Sequence, residues 1–460
     1  MRQLLAVELV ALRRVAPRRA AQRPSGAAHS VRSTRTGLSQ RDKHPLQETD
    51  APCGVRRQST AATALWLRGN PRPREPKRCR ATLATAVQDR RCPGAGNRVF
   101  VEAVQKSPQA WPADRPREYP HPIRTEPELE EVLTRPNHGL VEFIKQLSSP
   151  LLILGAGGKM GPTLCVLARR AAEIAGHRLD VVAVSRFGDE SARRWLEDRG
   201  VKTASCDLLD ADSLARLPEA LSIIYLVGLK FGTAQNPSAT WAMNTLVPAR
   251  VCERYPRSRI VALSTGNVYP LSEVSRGGSV ESDPLTPLGE YANAAVARER
   301  IFEFHSGRNG TAVALLRLFY SVELRYGVLV DLARKVLSGE PIPRANGSFN
   351  CIWQGDANEM ILRSLALVAA PPPAFNLCRP EAFSVKQIAM QLGELLGCAP
   401  VFTGNESTTA LLGNPSRICA ALGPPPTPLE AMLRWTAHWV KQGGRDLGRP
   451  THSEVRDGQY

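Results

Sequence analysis

The sequence predicts an α/β fold, a doubly wound parallel sheet followed by a smaller mixed lobe. Two observations carry that expectation. Apolar runs at 151–154, 179–185, 223–227, 260–263 and 312–318 are each followed by apolar residues at helical intervals, and strands alternating with helices build parallel sheets. The first run, LLIL, leads straight into Gly155, Gly158 and Gly161 at three-residue spacing, and then into the helical pattern 163–175. A strand, a glycine turn and a helix in that order form a phosphate cradle. The glycines let the backbone turn sharply and approach a pyrophosphate, whose charge then rests on the helix N-terminus.

The elements can be justified in order. Thr125, with Glu128 three residues on, is a capping box that opens a helix over 125–133. An amphipathic segment at 140–147 leads into the first strand. After Tyr320 the character changes: the motifs FNCIW (349–353) and FNL (375–377) alternate with helical segments at 328–337, 358–368 and 385–396. These read as a lobe packed over the carboxyl ends of the strands, where ligands bind in open α/β sheets. The expected organisation is a basic extension over 1–118, a nucleotide-binding domain over 119–320, a substrate lobe over 321–440 and a polar tail over 441–460.

The net charge of +17 is not spread evenly. Residues 1–120 hold 24 Lys and Arg against 9 Asp and Glu, whereas the remainder holds 36 against 34. The N-terminal segment has few sustained apolar periods, and stretches such as RGNPRPREPKRCR (68–80) bury too little surface to offset chain entropy. It is expected to be disordered. Three readings of it stay open: organelle targeting, which matches eight Arg and one acid in the first forty residues; an interaction tail; or an extension without function. Nucleic-acid binding is not expected, because no aromatic residues are interleaved with the basic ones. No apolar run approaches the roughly 18–20 residues of a membrane span, and a cytoplasmic location is expected. The ten cysteines show no C-x-x-C pair and no metal-ligand spacing. They read as free thiols, and no metal is expected.

Further motifs carry a resemblance. Asp207 and Leu208 follow the third strand position, Asn244 sits in WAMNTLVPAR, STGNVYP occupies 264–270 and EYANA occupies 290–294. GEPIP (339–343), GDANEM (355–360) and FNLCRPEAFSV (375–385) come after them. Over about residues 150–440 the chain therefore resembles the extended short-chain dehydrogenases/reductases, the NAD(P)-dependent epimerase/dehydratase group, whose sheet is of the Rossmann type. The resemblance implies that Gly155, Gly158, Lys159, Met160 and Gly161 form the cofactor turn. It implies that Asp207, beside Leu208, contacts adenine and that Val227 and Gly228 belong to the cofactor cleft. Thr265 is then the hydroxyl that orients a substrate oxygen, and Tyr291 the tyrosine that exchanges the proton during reversible hydride transfer. A small sugar-like substrate is implied, as is a homodimer formed through the helices at 235–254 and 289–306.

The chain also departs from the family. Y-x-x-x-K requires Lys at 295, and this chain has Ala295. A tyrosine hydroxyl titrates near pH 10 and needs a neighbouring cation to serve as a base near neutrality. Lys230, in LVGLKFG, is the candidate substitute. Its GLK triplet resembles that of UDP-galactose epimerases; the alternative is a lysine facing solvent or a phosphate. The second strand ends in Ser185 and Arg186, where NAD-selective members place Asp. With no carboxylate to repel a 2′-phosphate and Arg186 to pair with one, NADP is favoured over NAD. The Arg that holds the substrate diphosphate in nucleotide-sugar members aligns with Phe349, so a substrate without a nucleotide is expected, with Asn350, Trp353 and Gln354 as pocket residues. His305 reads as a C-terminal helix cap. A cofactor-binding protein without turnover, acting as redox sensor or interaction module, is the alternative to an enzyme.

Overall fold

The computed structural model describes residues 122–229, 235–448 and 451–458. The expectations for the basic extension and for Lys230 lie outside the described residues. Helices α1 (Glu126–Thr134) and α2 (His138–Ile144) precede β1 (Leu151–Leu154). Alternation then runs through α3 (Gly161–Ile174), β2 (Val181–Ser185), α4 (Glu190–Glu197), β3 (Lys202–Ser205), α5 (Ala211–Ala215), β4 (Ser222–Tyr225), α6 (Pro237–Arg254) and β5 (Arg259–Thr265). Next come β6 (Ser272–Glu273), α7 (Glu290–Asn309), β7 (Ala312–Leu318), β8 (Tyr320–Val322) and α8 (Val328–Ser338). The remainder comprises β9 (Ile342–Pro343), β10 (Ser348–Phe349), β11 (Cys351–Trp353), α9 (Gln354–Arg363), β12 (Ala374–Leu377), β13 (Phe383–Ser384) and α10 (Val385–Leu396). The chain closes with β14 (Phe402–Thr403), β15 (Thr409–Ala410), α11 (Ser416–Leu422) and α12 (Leu429–Lys441).

Seven strands form one sheet in the order β12-β7-β5-β4-β1-β2-β3, and every neighbouring pair is parallel. Side chains alternate across a strand, and β1 shows why its run is continuously apolar. Leu151 and Ile153 pack against Phe143, Leu164 and Met360 on one face. Leu152 and Leu154 pack against Val251 and Phe302 on the other. Both faces are covered by helices, as parallel sheets require. The chain winds outward from β1 through β2 and β3, then crosses to β4 on the other side. The crevice of a doubly wound sheet opens at that switch point.

The smaller lobe is mixed as expected: β8 pairs with β11 in parallel, β10 with β13 antiparallel, β9 with β14 in parallel. Its core is centred on Trp353 and Trp435, whose rings lie 5.2 Å apart. Three local expectations change. The FNL motif is β12, the outer strand of the main sheet, because Phe375 and Leu377 bury into that sheet's core. His305 is not a cap: α7 continues to Asn309 and ends on Gly310 in the left-handed region, φ 72°. Buried inside that helix, His305 has its pKa lowered by desolvation, against the opposing pull of Glu253.

The segment after α12 is no free polar tail, since its polar groups find partners on the body. The Leu447 N–H donates to Arg325 O at 3.1 Å and the Thr451 N–H to Asp331 at 3.0 Å. Arg456 donates to Ser407 at 3.1 Å and to Thr409 Oγ1 at 2.6 Å. Among the described residues no helix is long and apolar enough to cross a membrane, and no group of three or more His, Cys, Asp or Glu is arranged to hold a metal ion.

Candidate active site

A cleft of about 740 Å³ opens at the carboxyl ends of β1, β4 and β5. One wall is the glycine turn. Gly155 has φ 82°, and a Cβ there would sit 3.0 Å from the backbone N of Val227. A Cβ on Gly161 would overlap the backbone of Ala156, and one on Gly157 would run into the Ser185 side chain. The spacing rule passed over Gly157, whose Cβ position is taken up by the Ser185 side chain. The turn runs directly into α3, whose first turn has no side-chain cap. Helix N-terminal N–H groups left in that way suit an anion. The cradle thus fits the diphosphate of a dinucleotide.

The same cleft is lined by the hydroxyls of Thr265 and Tyr291. Thr265 ends β5, where its Oγ1 accepts from the Asn267 N–H at 3.2 Å and donates to Asn267 Oδ1 at 3.0 Å. Tyr291 is the second residue of α7 and is 9% exposed. Both line the cleft with the glycine turn. One helical turn further, Ala295 is fully buried against Val268, Tyr269 and Phe319.

Beneath the hydroxyls lies a buried ion pair. Arg317 on β7 donates to both carboxylate oxygens of Glu299 on α7, at 2.7 Å and 3.1 Å. Ser264 Oγ donates to the same carboxylate at 2.5 Å. Burial disfavours the Arg317 charge, but Glu299 outweighs it and raises the guanidinium pKa. Burial likewise pushes Tyr269, which accepts from Arg317 at 2.6 Å, up to about 12. The pair fixes α7 to the sheet directly behind Thr265.

Lys159 crosses from the glycine turn to the second lobe. Its Nζ donates to Ser321 O at 2.9 Å and lies 3.8 Å from the Tyr326 ring centroid. The rim is an ion network from three segments: Arg325 bonds Glu323 at 3.1 Å and Glu126 at 3.2 Å, and Arg445 bonds Glu126 at 3.1 Å. Burial works against the Arg325 charge, yet Glu323 and Glu126 together raise its pKa.

The other expected site residues are scattered. Met160 and Gly228 line the cleft, and Val227 is buried behind the turn. Ser185 stands behind Gly157, and Arg186 is exposed to solvent outside the lining. Leu208 is core, while Asp207 is exposed and accepts from the Leu209 N–H at 3.0 Å. The proposed pocket trio is corrected. Asn350 is buried and donates to Gly413 O at 2.7 Å. Trp353 packs in the lobe core at a tilt to Trp435, and Gln354 donates to Thr163 at 3.0 Å. None of the three lines the cleft, because β11 is covered by α9 and the α12 side. Sequence reasoning also missed Asp189, which lines the cleft four residues beyond Ser185 and caps α4. The Ser191 hydroxyl and N–H hold its carboxyl below the usual range.

Comparison with known proteins agrees with this geometry. The model of the NAD dependent epimerase/dehydratase family matches residues 151–367. Similar solved structures include UDP-glucuronic acid 4-epimerase from Bacillus cereus in complex with NAD, at 18% identity and TM-score 0.54, covering 64% of this chain and 96% of that one. UDP-glucose 4-epimerase from Thermotoga maritima with UDP-glucose matches at 17% and 0.52, covering 64% and 99%. dTDP-glucose 4,6-dehydratase from Streptomyces venezuelae with NAD and TYD bound matches at 18% and 0.54, covering 64% and 97%. A search of curated proteins finds no match. Identities this low speak for the fold alone; the family match adds that residues 151–367 are similar to the NAD dependent epimerase/dehydratase family.

Proposed function

We propose that the protein is an NAD(P)-dependent oxidoreductase of the epimerase or dehydratase type, acting on a sugar or sugar-derived substrate. The observation that carries this reading is that Thr265 and Tyr291 share one cleft with a glycine turn in which a Cβ on Gly155 or Gly161 would meet backbone. Bound there, a nicotinamide dinucleotide supplies reversible hydride transfer. Tyr291 exchanges the proton at the substrate oxygen, and Thr265 orients that oxygen by hydrogen bonding. Lys159 holds an anionic group between the turn and the second lobe.

Substrate and cofactor choice follow from the walls. Similar structures are named for UDP- and dTDP-sugars, but the position where the resemblance implies a diphosphate-holding Arg in nucleotide-sugar members is Phe349, buried edge-on to Tyr320 and Phe383. That favours a sugar or sugar acid without a nucleotide. The expected NADP preference rested first on the missing carboxylate at the end of β2 and second on Arg186. Arg186 and Asp189 are both exposed, but Asp189 lines the cleft and Arg186 does not; that carboxylate serves a ribose 2′-hydroxyl better than a 2′-phosphate, and NAD becomes the favoured cofactor. Asp189→Asn should shift the NADH-to-NADPH affinity ratio toward NADPH by about tenfold, on the scale of one charge-assisted hydrogen bond. An unchanged ratio overturns the assignment.

A homodimer through α6 and α7 fits their exposed apolar side chains, Leu246 and Phe304, and sedimentation tests it. The alternative, a cofactor-binding protein without turnover, rests on Ala295. A screen of sugars and sugar acids with NAD, with Tyr291→Phe as control, separates the two. Tyr291-dependent NADH formation supports an enzyme, and binding without any turnover supports the alternative.

A further inference from the structure

Arg298 is a buried cation that the reading above does not use. It lies on α7 two turns beyond Tyr291 and is 4% exposed. One nitrogen, Nη1, donates to Val227 O at 3.0 Å and to Asn244 Oδ1 at 2.9 Å. Asn244 is itself held, donating through Nδ2 to Thr240 O at 2.8 Å. The Nε–H has no partner, and no carboxylate pairs with the guanidinium among the described residues. Residues 230–234, KFGTA, carry no acid either. A buried charge without a counterion is costly, so its retention asks for a use.

Its placement supplies one. Nη1 lies so close under Gly228 that a Cβ there would come within 2.8 Å of it. Gly228 lines the cleft, and the Val227 backbone N lies 3.0 Å from where a Cβ on Gly155 of the glycine turn would sit. The guanidinium therefore grips the Val227–Gly228 floor from below, on the β4 and β5 side of the switch point, where Thr265 and Tyr291 stand. We propose that Arg298 is a positioning residue for the nicotinamide end of the dinucleotide: it fixes the Val227–Gly228 floor and sets an uncompensated positive charge beneath it. This rests on the proposed cofactor reading. The adenosine end, served by the turn, β2 and α4, does not depend on it.

The test is a fluorescence titration of the full chain with NADH, and competition by ADP, for the wild type, Arg298→Met, Arg298→Lys and Asn244→Ala. The expected result is that Arg298→Met weakens NADH at least tenfold and leaves ADP within twofold. Arg298→Lys, which keeps the charge and one donor to Val227 O, recovers most of the NADH affinity. General damage to the fold would weaken both ligands together. Should Arg298→Met fail to fold, Asn244→Ala reads the same grip: an NADH loss of about threefold with ADP unchanged supports the proposal, and no change overturns it. NADH affinities within twofold across folded variants overturn it alone. A wild type that binds neither ligand overturns the cofactor reading and this inference with it.

Discussion

Glu299→Ala strikes a buried ion pair that ties the site helix to the sheet. The Glu299 side chain is fully buried and that of Arg317 is 5% exposed. The substitution deletes both carboxylate contacts to Arg317 and the acceptor of Ser264. Arg317 keeps only Tyr269 OH at 2.6 Å and the Glu281 carbonyl at 3.1 Å, neither of which carries a compensating charge. Breaking such a pair from one side costs about 3–5 kcal/mol, most of it the stranded charge. A folded body of about 330 residues unfolds with an entropy of roughly 0.7 kcal/mol per degree, so the melting temperature should fall by about 4–7 °C. Removing both charges in Glu299→Gln with Arg317→Met should cost clearly less than Glu299→Ala alone, because no charge is then left unpaired. Differential scanning calorimetry on the three proteins decides it. A fall of less than about 1.5 °C for Glu299→Ala, or a double variant worse than the single, would refute the reasoning.

Two further predictions follow from the same geometry. Tyr291→Phe should lower kcat by about 10²–10⁴-fold, the usual scale of acid–base help, while NADH affinity stays within twofold; a kcat near wild type in steady-state assays removes Tyr291 from the chemistry. For His305, burial lowers the folded pKa beneath its ordinary value near 6.5. Above that value both states are neutral and the group contributes nothing; as pH falls below it the unfolded chain takes the proton first, and stability is lost until pH passes the folded pKa. Urea melts from pH 7 to pH 5 should therefore show a shallower stability loss for His305→Gln than for the wild type, and parallel curves contradict this.

The parts of the site legible in the sequence are those set by local chain chemistry. LLIL followed by glycines at fixed spacing allows few conformations, and β1 and its turn lie where that pattern puts them. Tyr291 and Thr265 were legible because short motifs at a strand end and a helix start fix which side chains face the crevice. What failed depends on packing between distant segments. Asn350, Trp353 and Gln354 surround a three-residue strand, and whether such a strand faces a pocket or a core is decided by β8, α9 and α12. Asp189 went unread because it follows Arg186 across a loop in which Phe187 takes φ 45°, a path the residue pattern does not announce. The rim went unread since Glu126 and Arg445 come from opposite ends of the chain, and only the fold joins them through Arg325.

The central claim is that the glycine-walled cleft holds a nicotinamide dinucleotide. The most direct test is an NADH titration of wild type beside Gly161→Ala, whose added Cβ must push against the Ala156 backbone. The account predicts micromolar binding by the wild type and a loss of at least about a hundredfold, or roughly 2.7 kcal/mol, in the variant. Folded wild type that binds neither NADH nor NADPH, or a variant that binds as tightly as wild type, would contradict it.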